Sequence, residues 1–384
     1  MTARTRADLE SLPGYVPGRH VPGAVKLASN EVSAGPLPSV VAAIAAAAAG
    51  VNRYPDNGVA ALLDRLADRL DVPPARLAAG CGSVMLCQQL MQATCGATDE
   101  VLFAWRSFEA YPLLAAALGV AQRTVPLRQD LTHDLPTMLE AITPATRLVF
   151  VCNPNNPTGT AVQRDELVAF LDAVPDGVLV AIDEAYHEFV TDPGVPDGVA
   201  LSRRRDNLAV LRTFSKAYGL AGLRVGYCVA PEPVAAALRK VSVPFSVNSL
   251  AQTAALASLD VADELLARCQ GIAAERDRVR AELLAMGYPV PDSQTNFVWV
   301  PLGARTTAFT ERCLEHKVVV RAFPGDGARV TVGDPGENEA FLAAARSVPP
   351  PTFAGDQLTT VAAARPAIRP ENRQPPRKVP SSER

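Results

Sequence analysis

The sequence predicts an α/β fold: a mostly parallel sheet covered by helices on both faces, followed by a smaller α+β unit. Three observations predict it. Between residues 100 and 230, short continuous apolar runs alternate with amphipathic segments, the pattern of strands buried on both faces with helices between them. From about Val247 the pattern changes to one long helical stretch and then three further strand-like runs. The chain has 384 residues, 48% hydrophobic and 20% charged, which suffices to fill two globular cores.

Taken in order, residues 1–30 read as an irregular N-terminal arm, rich in Pro and Gly, expected to join the smaller unit. A first helix begins at Pro38, runs through an alanine-rich stretch and stops at Gly50. The segment GVAALLDRLADRLDV carries 3.6-residue apolar spacing and reads as a second helix. The strand-like runs are then EVLFAW, AQRTVPL, RLVFVC, GVLVAID, NLAVLRTF and LRVGYCVA, which complete a large unit over 31–246. The smaller unit, 247–348, opens with the long helical stretch, expected to break near Asp260. Its strands are TNFVWVPL, HKVVVRAF and ARVTVG. Residues 349–384 are rich in Pro and Arg and lack apolar periodicity, so they read as a disordered tail.

Bulk properties exclude several function classes. Net charge is −3 and no basic patch marks a nucleic-acid surface. The N-terminus has no apolar segment of the secretory kind, and the longest apolar stretch, SVVAAIAAAAAGV, is too short to span a bilayer. A cytoplasmic protein without membrane contact is expected. The seven cysteines form no C-x-x-C pair and the four histidines are scattered, so no metal site is expected.

Several of the apolar runs end in unusual polar residues. RLVFVC leads into the turn Asn153-Pro-Asn-Asn-Pro-Thr-Gly159, GVLVAI into Asp183, and NLAVLRTF into Ser215-Lys216; Arg224 opens LRVGY. Each has an ordinary explanation: Asn, Pro and Gly favour turns, Asp caps helices, and Lys and Arg are usually solvated. Their joint occurrence is harder to explain, because ligands of open α/β sheets sit outside the carboxyl ends of the strands. Three adjacent strand ends would bring an amide, a carboxylate and an amine together. Pyridoxal phosphate needs all three kinds of group: a lysine for its aldehyde, a carboxylate for its pyridine nitrogen, and donors for its phenolic oxygen. Its phosphate needs hydroxyls, an arginine and backbone N–H groups at a helix start, and Gly80, Gly82 and Ser83 precede an apolar helix.

These residues lie in the motifs KLASNE, NRYPDNG, GCGSV, WRSFEAYP, CNPNNPTGT, DEAYHEF, RTFSKAYGLAGLRVGY and ARVTVG. Over roughly residues 10–348 the chain resembles the fold-type I pyridoxal-phosphate aminotransferases of classes I and II. Within them it resembles the histidinol-phosphate and aromatic-amino-acid branch, and above all the actinobacterial aromatic (phenylalanine) enzymes. The resemblance implies a large domain with a mostly parallel seven-stranded sheet and a smaller α+β domain. It implies that Lys216 condenses with the cofactor aldehyde and later shuttles the substrate proton. Asp183 would pair with the pyridine nitrogen, and Tyr186 and Asn156 would hold the phenolic oxygen. Ser215, Arg224 and the backbone of Ser83 and Val84 would bind the phosphate, and Tyr111 would stack on the cofactor ring. Tyr54 would reach the partner subunit's cofactor in a homodimer with shared active sites. Arg329, Arg321 and Asn30 would contact the substrate.

The expected reaction is transamination between an aromatic amino acid and 2-oxoglutarate. The rival substrate is histidinol phosphate, whose phosphate dianion would want both Arg321 and Arg329. Histidinol-phosphate enzymes commonly read Asn-Glu-Asn-Pro with an aromatic and Gly-Pro following, where this chain reads SNEVSAGPLP. A decarboxylase of the same fold is a further alternative. A DNA-binding regulator on this fold is disfavoured, because only about 30 residues precede the first helix.

Overall fold

The computed structural model describes residues 21–350, together with residues 5, 6, 9 and 14. The expected tail over 349–384 lies outside the described residues from 351 onward, as does most of the expected arm.

The strands are β1 (Val25–Leu27), β2 (Leu77–Gly80), β3 (Glu100–Trp105), β4 (Ala121–Pro126), β5 (Thr146–Cys152) and β6 (Leu179–Asp183). They continue with β7 (Leu208–Thr213), β8 (Gly226–Val229), β9 (Phe297–Pro301), β10 (Val318–Phe323) and β11 (Gly327–Thr331). Seven of them form one sheet in the order β2-β8-β7-β6-β5-β3-β4. Its pairings are parallel except at β8, which runs antiparallel to both β2 and β7.

The side-chain period of two explains why the central strands are apolar throughout. On β5, Val149 and Val151 point into one core while Leu148, Phe150 and Cys152 point into the other. On β6, Val180 and Ile182 face the first core, and Leu179 and Ala181 the second. By the same alternation Asp183, last on β6, emerges on the face of Leu179 and Ala181. The six runs read as strands from the sequence are all in this sheet; the seventh is β2, the short stretch LAAG.

Four strands form a second sheet, β1-β10-β11-β9, with its own core. Its edge strand β1 pairs in parallel with β10, so residues near the start of the chain are tied to residues some 290 positions later. The long helical stretch is two helices, Ser249–Asp260 and Ala262–Ala285, broken at Val261. The second helix carries Arg276, which is only 1% exposed. Its guanidinium donates to the carbonyls of Phe189 and Thr295 at 3.1 and 3.2 Å and to Thr191 Oγ1 at 3.2 Å. This buried cation ties the segment after β6 to the segment before β9.

Candidate active site

A cavity opens at the carboxyl ends of β5, β6 and β7, where Cys152 and Asp183 sit side by side and Thr213 lies two residues beyond Leu211, the β7 partner of Asp183. Chain order explains the opening: β3 is followed outward by β4, and the chain then returns to β5 on the other side of β3. That reversal leaves a crevice between diverging connections.

Asp183 forms the floor. It is 2% exposed, and one carboxylate oxygen accepts from the Tyr111 hydroxyl at 2.8 Å. The other, Oδ1, is buried with no hydrogen-bond partner among the described residues. Burial pushes the carboxyl pKa up to about 6, against the opposing pull of the Tyr111 hydrogen bond. An ionised buried carboxylate with a vacant oxygen calls for a cationic N–H donor in the cavity. The neighbouring Glu184 is kept apart from it by Arg212, which binds Glu184 Oε2 at 2.8 Å from β7.

Lys216 follows the end of β7 and lines the same cavity. Its Nζ donates to the Ser29 carbonyl at 3.2 Å. Burial, with the positive charges of Arg329 and Arg224, lowers its pKa to about 7. About half of the amine is therefore neutral and nucleophilic at pH 7, where an ordinary lysine is almost wholly protonated. Competitive acetylation of the apoprotein across pH, read by mass spectrometry at the Lys216 peptide, should show reactivity rising through a midpoint near 7. A midpoint near the ordinary 10.5 would contradict the depressed value.

An anion cradle lies on the side of β8. Arg224, with φ 59°, donates to Ser215 Oγ at 3.3 Å and to the Ala221 carbonyl at 2.9 Å. Thr213 Oγ1 donates to the same Ser215 Oγ at 3.0 Å. Opposite them the helix Ser83–Thr94 begins, so its first backbone N–H groups have no intrahelical acceptors. Two glycines permit the approach. At Gly82, φ is +79° and a Cβ would collide with the Arg224 guanidinium; at Gly226, a Cβ would sit 2.7 Å from the Ser83 nitrogen.

The opposite wall is built by the second sheet and by the Asn-Pro-Asn-Asn-Pro-Thr-Gly turn. Arg329 on β11 donates to Asn156 Oδ1 at 2.6 Å and to the Ala28 carbonyl at 2.9 Å. Asn30 donates to the Tyr186 hydroxyl at 2.9 Å and accepts from Thr331 Oγ1 at 3.2 Å. Asn155 holds the turn against the segment after β3: it accepts from Ser107 Oγ at 2.8 Å and donates to the Arg106 carbonyl at 3.1 Å.

The structure thus brings Lys216, Asp183, Asn156, Tyr186, Ser215, Arg224, Ser83, Val84, Asn30 and Arg329 around one cavity. It corrects the expectation for Tyr111. That ring is fully buried, stacked on Phe150 at 4.5 Å, and it reaches the cavity only through its hydrogen bond to Asp183. Tyr111 belongs to the helix Ala110–Leu118, which turns its side chain back onto the sheet; Phe108, in the preceding loop, lines the cavity. Of the aromatics in WRSFEAYP, Trp105 does not line the cavity either; its ring carries the Arg106 guanidinium at 4.7 Å. Arg321 stands behind the lining, bound to Glu109. Tyr54 is away from the cavity, 82% exposed and stacked on Phe245 at 4.5 Å. Among the described residues no cluster of His, Cys, Asp and Glu could hold a metal ion. None of their helices is long and apolar enough to cross a membrane.

This fold with this set of groups defines a pyridoxal-phosphate-dependent aminotransferase of fold type I. The chain belongs to the aminotransferase class I and II family, whose sequence profile matches residues 22–344. It is 60% identical over 347 residues to an aromatic amino acid aminotransferase of Rhodococcus jostii (strain RHA1), covering 90% of this chain and 96% of that one. It is 56% identical over 347 residues to an aromatic amino acid aminotransferase of Mycobacteroides abscessus, covering 90% and 99%. Among solved structures, the histidinol-phosphate aminotransferase of Sinorhizobium meliloti in complex with pyridoxal-5'-phosphate superposes with a TM-score of 0.82 at 30% identity. That match covers 90% of this chain and 98% of the other. The family's cofactor fits the residues present: the vacant Asp183 oxygen, the neutral Lys216 amine and the Arg224–Ser215 cradle are the partners it requires.

Proposed function

We propose that the protein transfers the amino group of an aromatic amino acid to 2-oxoglutarate. One observation carries the reading. The cavity sets the Arg329 guanidinium across from Lys216, with Phe108 in the wall, in a chain closely similar to aromatic amino acid aminotransferases. Both substrates carry an α-carboxylate, which a planar guanidinium grips with two parallel hydrogen bonds.

In this reading Asp183 holds the pyridine nitrogen, Tyr186 and Asn156 the phenolic oxygen, and Ser215, Arg224 and the amides of Ser83 and Val84 the phosphate. Phe108 covers the ring, in place of Tyr111. The bound cofactor supplies an aldehyde for the amino group and an electron sink for the carbanion left at the α-carbon. Asn156 and the Ala28 carbonyl aim the Arg329 guanidinium, and Arg329 fixes the substrate carboxylate. The neutral Nζ of Lys216 takes up the proton that leaves the substrate α-carbon. Tyr186 keeps its proton, since burial raises its pKa, and so remains a donor to an anionic oxygen.

The active form is proposed to be a homodimer in the cytoplasm, with a large domain over 31–246 and a small one over 247–348. Tyr54 and Phe245 form an exposed aromatic stack, and Val51 and Val243, close to them in the chain, are exposed as well, which suits a subunit interface. The seven cysteines are all unpaired, which suits a reducing compartment. Sedimentation of the cofactor-loaded protein should give a dimer mass; a monomer would remove the shared-site role of Tyr54. The substrate is tested by competing phenylalanine against histidinol phosphate at equal concentration with 2-oxoglutarate present. Phenylalanine should have the higher kcat/KM. A tenfold advantage for histidinol phosphate, about 1.4 kcal/mol in transition-state binding, would reverse the assignment.

A further inference from the structure

We propose that Glu109 is a specificity-determining residue: by holding Arg321 in an ion pair, it makes the site reject amines that carry a phosphate. The inference rests on the aromatic reading above and names the group that enforces it. Arg321 on β10 and Arg329 on β11 are register partners in an antiparallel pair, so their side chains rise on the same face. Two like charges placed directly opposite one another destabilise a sheet unless each is compensated.

The two arginines are compensated differently. Arg329 donates to Asn156 Oδ1 and to the Ala28 carbonyl and lines the cavity, where a substrate anion would meet it. Arg321 Nη2 lies 3.1 Å from both carboxylate oxygens of Glu109, which cancels its charge. The side chains of that pair are only 15% and 28% exposed, so solvent screens the pairing weakly. Glu109 itself lines the cavity, whereas Arg321 stands behind it. An incoming group therefore meets a carboxylate on this wall and a guanidinium on the next.

A substrate α-carboxylate is a monoanion and is satisfied by one guanidinium. A phosphate dianion wants two, and here it would face the Glu109 charge as well. An uncharged aromatic side chain meets neither penalty, and Phe108 supplies apolar surface in the cavity wall.

The test uses cofactor-loaded wild type, Glu109→Gln, Arg321→Gln and the double variant. kcat/KM is measured for phenylalanine and for histidinol phosphate with 2-oxoglutarate, and binding of phenyl phosphate and of 3-phenylpropanoate is measured by calorimetry. Glu109→Gln should shift the kcat/KM ratio toward histidinol phosphate by at least about tenfold and tighten phenyl phosphate relative to 3-phenylpropanoate. Adding Arg321→Gln should cancel that gain, because the released cation is then gone. Arg321→Gln alone should change phosphate discrimination by less than about threefold, since its charge is already cancelled. An unchanged ratio in a Glu109→Gln enzyme that still turns over phenylalanine overturns the inference and leaves the aromatic reading standing. A tenfold or greater loss of phosphate turnover in Arg321→Gln overturns it as well, even if Glu109→Gln does not fold. A wild type that itself prefers histidinol phosphate overturns the aromatic reading, and the inference falls with it.

Discussion

Lys216→Ala is expected to reduce transamination to background and to remove the visible absorbance that the lysine-bound cofactor gives the protein. Lys216 is the lysine that lines the cavity, and its amine is held by the Ser29 carbonyl between the Asp183 floor and the Arg329 wall. Removing it takes away the nucleophile and the group that moves the α-carbon proton. The fold should survive, because alanine leaves only a polar, already open cavity larger. Normal turnover by this variant, measured with phenylalanine and 2-oxoglutarate, would contradict the assignment.

Asp183→Asn should lower kcat by roughly two to four powers of ten while leaving the protein folded, because losing a buried charge partner costs about 3–5 kcal/mol. A neutral amide cannot hold the pyridine nitrogen protonated. The same substitution should act in the opposite sense on the apoprotein. The folded-state pKa of Asp183 lies above its ordinary 3.8, so near pH 7 its charge subtracts from apoprotein stability. That cost is present above the folded pKa and vanishes as pH falls below the ordinary value. The apoprotein variant should therefore melt higher than wild type at pH 7, and the difference should shrink on acidification. A near-wild-type rate, with no rise in apoprotein melting temperature, would reduce Asp183 to a structural residue.

The alternation of strands and helices was legible because parallel strands buried on both faces leave continuous apolar runs. β5, β6 and β7 could be placed by that signal, and their polar ends pointed to the site. β2 could not, since LAAG is four small residues with neither bulk nor alternation. β1 is three residues long, and its pairing with β10 is a long-range event that no local pattern encodes. The choice between Phe108 and Tyr111 turned on where the helix after β3 begins. With its start at Ala110, Tyr111 is drawn under the sheet and Phe108 is left at the cavity. Glu109 left no mark in the sequence: a lone glutamate there has the look of a solvated residue, and its partner Arg321 is 212 positions away. Arg276 was hidden similarly, in a helix whose other arginines are solvent-facing pairs such as Arg278 with Glu275 and Glu339.

The central claim is that the cavity at the ends of β5, β6 and β7 is where the cofactor is captured, and that Lys216 captures it. Borohydride reduction of the cofactor-loaded protein, followed by proteolysis and mass spectrometry, tests this most directly. The account predicts a phosphopyridoxyl mass on the peptide that contains Lys216, at close to one per chain. The same mass on a peptide carrying another lysine, with Lys216 unmodified, would contradict it.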